Sequence, residues 1–155
     1  MSEESDGQLI RSVERLEAIN AIRQLKIRYC RFCDDGWKAD AIAELFTADG
    51  VWEAGAGYGR HVGRQAIANY IGTLASTTTF SIHALRNDEI DVQGDMASGR
   101  WRTIVPVTVV TEGRPEPFLL FNDYQDDFRR SGNRWLFSHV RASVYGVASM
   151  KRGWL

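Results

Sequence analysis

The sequence predicts an α+β fold in which a long, twisted antiparallel sheet curls around N-terminal helices and leaves an open-mouthed cone. Three observations carry this. Apolar residues in the first half recur at helical spacing, and from Thr77 onward the pattern changes to period two. Three turn-forming triplets, Gln93-Gly94-Asp95, Glu112-Gly113-Arg114 and Ser131-Gly132-Asn133, divide that second half into consecutive strands. Helices first and strands afterwards is the order of an α+β chain.

The elements follow in order. Residues 1–8 are charged and small, without periodicity, and are expected to be unstructured. Ser12 is a candidate N-cap with Glu14 in the first turn. From there Leu16, Ile19, Ala21, Ile22, Leu25, Tyr29, Phe32 and Cys33 trace one stripe of a helix running to about Asp34. Gly36 supplies the left-handed cap that ends it. A short helix is expected at 39–46, with Ile42, Leu45 and Phe46 inward. Gly55-Ala-Gly-Tyr-Gly59 lacks the Lys-Ser/Thr of a P-loop and the spacing of a dinucleotide loop, so it reads as a hairpin turn. A third helix covers about 64–75, with Ile67, Tyr70, Ile71 and Leu74 on one side. Strands are expected at 79–92, 97–111, 117–129 and 134–147. Residues 9–148 form one domain, and 149–155 a tail that ends in an apolar pair and either covers a neighbouring surface or frays.

Composition narrows the function classes. The chain has 155 residues, 44% hydrophobic and 25% charged, enough for one domain with a real core. A net charge of −1 supplies no basic face for nucleic acid. No run approaches the roughly 18–20 apolar residues of a membrane span. The polar, acidic start MSEESDGQ is unlike a secretory signal, so a cytoplasmic location is the default expectation. The Cys30-x-x-Cys33 pair lies within a helical pattern and lacks two further ligands at metal spacing, so it reads as two packed thiols. No His/Asp/Glu cluster has metal-ligand spacing, and no metal or cofactor is expected.

Alternation assigns side chains to faces. Ser81, His83, Leu85 and Asn87 share one; Trp101, Thr103, Val105, Val107 and Val109 another. Leu120, Asn122, Tyr124, Asp126 and Phe128 share a third. Trp135, Phe137, His139, Arg141, Ser143 and Tyr145 share the last. Bulky aromatics with a few polar groups are how a ligand pocket is lined. Two ionisable residues stand out in apolar surroundings: Asp34 at the end of the first helix and His83 in the first strand. A carboxylate that meets an imidazole in such a pocket makes a general base. Tyr29 lies about 1.4 turns before Asp34, roughly 140° around the helix, which would let the two flank one pocket without touching each other. No partner is evident for His61 or His139.

The strings Ile22-R-Q-L-K-I-R-Tyr29-C-R-F-C-Asp34 and Ala41-I-A-E-L-Phe46-T-A-Asp49-G-V-Trp52 resemble the SnoaL-like family. So do Ser81-I-His83, Gly99-R-Trp101, and Tyr124-Q-D-D-Phe128 followed by Gly132-N-R-Trp135. The similarity covers roughly residues 12–147, and it is nearest in flavour to scytalone dehydratase, bile-acid 7α-dehydratase and γ-hexachlorocyclohexane dehydrochlorinase. The resemblance implies the cone shared with ketosteroid isomerase and nuclear transport factor domains. It implies His83 as the base that takes a proton from carbon, Asp34 as the acid that orients it, and Tyr29 as donor to the departing oxygen. The bile-acid enzymes carry an acid shortly after their G-R-W, where this chain has Val105. That departure counts against a bile-acid dehydratase and leaves the His-Asp pair intact.

The expected function is a cofactor-independent lyase or isomerase acting on a small, hydrophobic, cyclic molecule. Trp52, Trp101, Phe118, Tyr124 and Asn122 are the residues expected to shape its pocket. Two alternatives come from other classes: a non-catalytic scaffold like the β subunit of ring-hydroxylating dioxygenases, and a module that binds a hydrophobic ligand unchanged. The resemblance also implies a homo-oligomer built through the outer sheet face, a trimer favoured over a dimer.

Overall fold

A computed structural model describes residues 3–150 of the chain. It comprises α1 (Glu3–Asp34), α2 (Ala39–Ala43), β1 (Phe46–Ala54), α3 (Gly55–Tyr58), β2 (Arg60–Val62) and α4 (Arg64–Thr77). Five strands follow: β3 (Thr78–Ser81), β4 (Ala84–Gln93), β5 (Met96–Thr111), β6 (Arg114–Ser131) and β7 (Arg134–Ser149). One seven-stranded sheet runs β2-β1-β7-β6-β5-β3, and β4 pairs with β5 beyond β3. The α+β class and the curved, open sheet agree with the sequence pattern.

The β4–β7 meander pairs antiparallel through the three expected turns. The sheet as a whole is mixed, because β1 lies parallel to β7. The sequence pattern missed β1 and β2: Phe46, expected in a helix, begins β1, since its buried ring packs on Phe137 of the neighbouring strand. The Gly-rich segment does connect a hairpin, β1 to β2, but its middle is a single helical turn, α3. The strand expected at 79–92 is two strands, interrupted at Ile82-His83. Helix α1 starts at Glu3, so residues 3–8 are helical and not unstructured, and Ser12 is no cap. Its hydroxyl donates instead to the Gln8 carbonyl one turn back, at 2.9 Å. Of the tail, expected to pack on a neighbour, lid the cone or fray, residues 151–155 lie outside the described residues; Ser149 ends β7, and the Met150 N–H extends the β6–β7 pairing to Pro117.

The core forms where the buried stripe of α1 meets the inner sheet face. Ala18, Ile22, Leu25, Tyr29, Cys30 and Cys33 supply the helix side. Leu16 and Ala21 of the expected stripe are exposed. On β5, odd positions from Gly99 to Val107 are buried, in step with the pleat. Gly99 is required there: the Trp101 ring lies back against it, and a Cβ would collide with that ring. Cys30 and Cys33 are free, buried thiols. No helix among the described residues is long and apolar enough to cross a membrane.

One charge pair crosses this core. Lys26 donates from Nζ to Asp126 Oδ2 at 2.7 Å, and both side chains are wholly buried. The ammonium also lies 3.5 Å from the centroid of Tyr124, with Tyr29 and Trp101 close by. Burial is the larger influence on Asp126 and pushes its carboxyl up to about 6, against the pull of Lys26. Its folded pKa therefore exceeds its unfolded value. What it contributes to stability is fullest in acid and falls away as pH rises through about 6. Lys26→Met should destabilise the fold by about 3–5 kcal/mol at pH 7, because it strands a buried carboxylate. Urea titrations should find that loss shrinking toward pH 4, where Asp126 is protonated. Lys26→Met with Asp126→Leu should recover most of it.

Candidate functional site

The site is built at the junction between the C-terminus of α1 and the gap between β3 and β4. Helix α1 closes with Trp37 N–H donating to the Cys33 carbonyl (3.1 Å) and Lys38 N–H to that of Phe32 (3.0 Å). Gly36 (φ 79°) and Trp37 (φ 53°) are both left-handed. Glycine takes that conformation freely, whereas tryptophan pays for it. The turn brings the Trp37 ring edge-on to His83, with centroids 5.8 Å apart.

Asp34, the last residue of α1, takes hold of the strand break. Both of its oxygens accept from the His83 backbone N–H, at 3.0 and 3.1 Å. Oδ1 also meets His83 Nδ1 at 2.6 Å, and the Ser81 hydroxyl at 3.3 Å. The interruption between β3 and β4 thus leaves the His83 amide free of the ladder and available to the carboxylate. A carboxylate beside Nδ1 assigns the proton to that nitrogen in the neutral ring, which leaves the Nε2 lone pair as the basic site. The His83 side chain is 3% exposed and that of Asp34 27%. The helix-borne acid and the sheet histidine, 49 residues apart in the chain, do meet.

Beside them is a cavity of about 290 Å³, whose lining includes His83, Trp37, Trp52, Tyr58, Asn122 and Tyr124. Its walls are mainly aliphatic: Leu74, Val105, Val107, Val109, Leu120 and Val144. No Lys, Arg, Asp or Glu is among the lining residues. Two buried polar atoms at its wall have no partner, Trp37 Nε1 and Asn122 Oδ1. Each such atom costs about 1–3 kcal/mol unless something meets it. Val105, standing where the resemblance to bile-acid dehydratases wants an acid, is part of the apolar wall.

The other expected site residues divide. Trp52, Tyr124 and Asn122 line the cavity; Trp101 and Phe118 do not. Trp101 is turned into the core, edge-on to Phe128, because Gly99 lets its ring fold back along the strand. Tyr29 lies behind the wall, 1% exposed, and its hydroxyl accepts from Trp52 Nε1 at 2.9 Å. Burial holds its phenol well above the usual range. Tyr29 is not among the cavity's lining residues, and Trp52, which is, donates to its hydroxyl. Trp37 was missed, and the Gly36-Trp37 pair after Asp34 was the available signal. The two other histidines do have partners. His139 is held between Glu53 (2.7 Å) and Arg141 (2.9 Å), and His61 stacks on Tyr70 with its Nε2 at the Tyr58 carbonyl.

Residues 14–141 match the SnoaL-like domain. The chain belongs to the SnoaL-like family. No curated protein matches it in sequence. Among solved structures, the SnoaL-like fold recurs in a type 3 hexachlorocyclohexane dehydrochlorinase from Novosphingobium barchaimii. That protein has a TM-score of 0.80 and 19% identity, with 90% of this chain and 94% of that one covered. A provisionally named scytalone dehydratase from Novosphingobium aromaticivorans gives 0.77 and 20%, covering 87% and 89%. A provisionally named aromatic ring hydroxylase from the same species gives 0.76 and 23%, covering 88% and 96%. At these identities the likeness establishes the fold.

The tautomer assignment is checked by long-range proton–nitrogen NMR at pH 8. The wild type should carry its His83 proton on Nδ1, and Asp34→Ala should lose that preference. An unchanged tautomer in the variant would mean that Asp34 does not set it.

Proposed function

We propose that this SnoaL-like protein is a cofactor-independent lyase or isomerase that uses His83 as a general base on a small, hydrophobic, cyclic substrate. The observation that carries the reading is the 2.6 Å contact of Asp34 with His83 Nδ1 at the wall of an apolar cavity. With Nδ1 engaged, Nε2 takes the proton from a substrate carbon. The imidazolium so formed faces the Asp34 carboxylate at the C-terminal end of α1, where both the charge and the helix dipole favour a cation. The electron pair released from the C–H bond either forms a double bond as a neighbouring group leaves or moves along a conjugated ketone. The solved relatives named as a dehydrochlorinase and a dehydratase support the first course.

Positioned general base action contributes on the order of 10²–10⁴ in rate. The protein is first screened by mass spectrometry against cyclic hydroxy-ketones, steroids and chlorinated rings. On any substrate so found, His83→Ala and Asp34→Asn should each lower kcat by a factor in that range, with unchanged circular dichroism. Wild-type rates in both variants would reject the mechanism.

A scaffold role is the second reading, favoured by the likeness to a protein named as an aromatic ring hydroxylase. It predicts that the protein copurifies with a larger oxygenase subunit and turns over nothing in the same screen.

We also infer self-association through the sheet. Ile82 (48% exposed), Tyr145 (60%) and Val147 (61%) leave apolar surface in water. Light scattering should give a trimer or dimer, and Tyr145→Glu should shift it toward monomer. A monomeric wild type would overturn this.

A further inference from the structure

We infer that Tyr124 is the hydrogen-bond donor that holds the substrate's oxygen, and that the site therefore takes neutral cyclic ketones or alcohols. This rests on the proposed base at His83, and it gives Tyr124 the role that the family resemblance implied for Tyr29.

The two tyrosines differ in what their hydroxyls meet. That of Tyr29 is engaged by Trp52 behind the cavity wall. Tyr124 lines the cavity and is 4% exposed, yet among the described residues no hydrogen bond reaches its hydroxyl. A phenol O–H held in an apolar site without a partner is an incomplete arrangement, and a ligand acceptor completes it.

The ring is fixed from the core side. Lys26 Nζ lies 3.5 Å from its centroid, and the Tyr29 ring meets it edge-on at 6.5 Å. The ammonium is itself held by Asp126, so it cannot swing away. A cation against the ring face draws electron density from the phenol and strengthens its O–H as a donor. Burial meanwhile holds the phenol well above its usual range, so it keeps its proton and acts as a donor.

The surroundings set the substrate class. A cavity of about 290 Å³ has room for a fused bicycle. With no cationic side chain in its lining, a carboxylate or phosphate would enter without a counter-charge. A neutral oxygen on an apolar ring system matches a wall whose unpartnered donors, the Tyr124 hydroxyl and Trp37 Nε1, are neutral. Asn122 lies two residues from Tyr124 on the same face of β6, with its buried Oδ1 unpartnered, and offers an acceptor when the substrate oxygen is a hydroxyl.

The test uses two probes of one shape, 1-tetralone with a carbonyl and tetralin without, titrated by calorimetry and followed by NMR at His83. The wild type should bind tetralone roughly 3- to 10-fold more tightly than tetralin, the worth of one neutral hydrogen bond. Tyr124→Phe should erase that preference with no loss of thermal stability, since its hydroxyl bonds to nothing in the fold. Tyr29→Phe should keep the preference but lower the melting temperature, because it breaks the bond to Trp52. Equal binding of both probes by the wild type, or a preference that survives Tyr124→Phe, overturns the inference and leaves His83 as base intact. If neither probe binds or perturbs His83, the cavity is not a site for such rings, and the proposed function falls with the inference.

Discussion

The grip of Asp34 on the gap between β3 and β4 is the constraint from which the site follows. A continuous strand through residues 78–93 would commit the His83 amide to the ladder or to solvent. The break gives it to a carboxylate instead, and the same carboxylate takes the imidazole Nδ1. Ser81 adds a third donor from the strand before the break. One side chain thereby fixes the end of a helix, the edge of a sheet and the tautomer of a ring. The arrangement stays rigid because α1 is anchored far behind it, by Ile22, Leu25 and Tyr29 against the sheet.

Helix closure belongs to the same device. Two left-handed residues in succession turn the chain sharply after Asp34, and the second is a tryptophan. Strain of order 1–3 kcal/mol in a bulky residue persists where its surroundings hold it in place. Here the result is an aromatic wall beside His83. Buried polar atoms without a partner occur at this cavity, on Trp37 and Asn122, and also away from it, on Thr47, Thr103 and Asp126 Oδ1.

Apolar walls with few polar contacts give this protein a narrow chemical vocabulary. Charge is confined to the His83–Asp34 pair at one end, backed by a second pair that the cavity does not reach. Under the function proposed above, a base in such a space would act on carbon acids whose charge is spread over a ring or quenched by a leaving group. Val105 adds to this apolar wall, and no carboxylate side chain is among its lining residues.

Much of this was already written in the sequence. Period-two alternation and three turn triplets determined β5, β6 and β7 to within about three residues at each end, because strand faces and turn conformations are local physics. The residue pair Asp34 and His83 was legible as types in apolar settings, and the family strings pointed to their meeting. Other features belonged to the tertiary structure alone. Phe46 joins a strand and not a helix because β7 offers its edge and Phe137 its ring, a partner 91 positions away. Trp101 leaves the site because Gly99 lets its ring fold back, a contact no alternation rule encodes. Tyr29 and Tyr124 look alike as phenols on buried faces. Which one meets the cavity depends on where Trp52 stands, and only packing in three dimensions decides that.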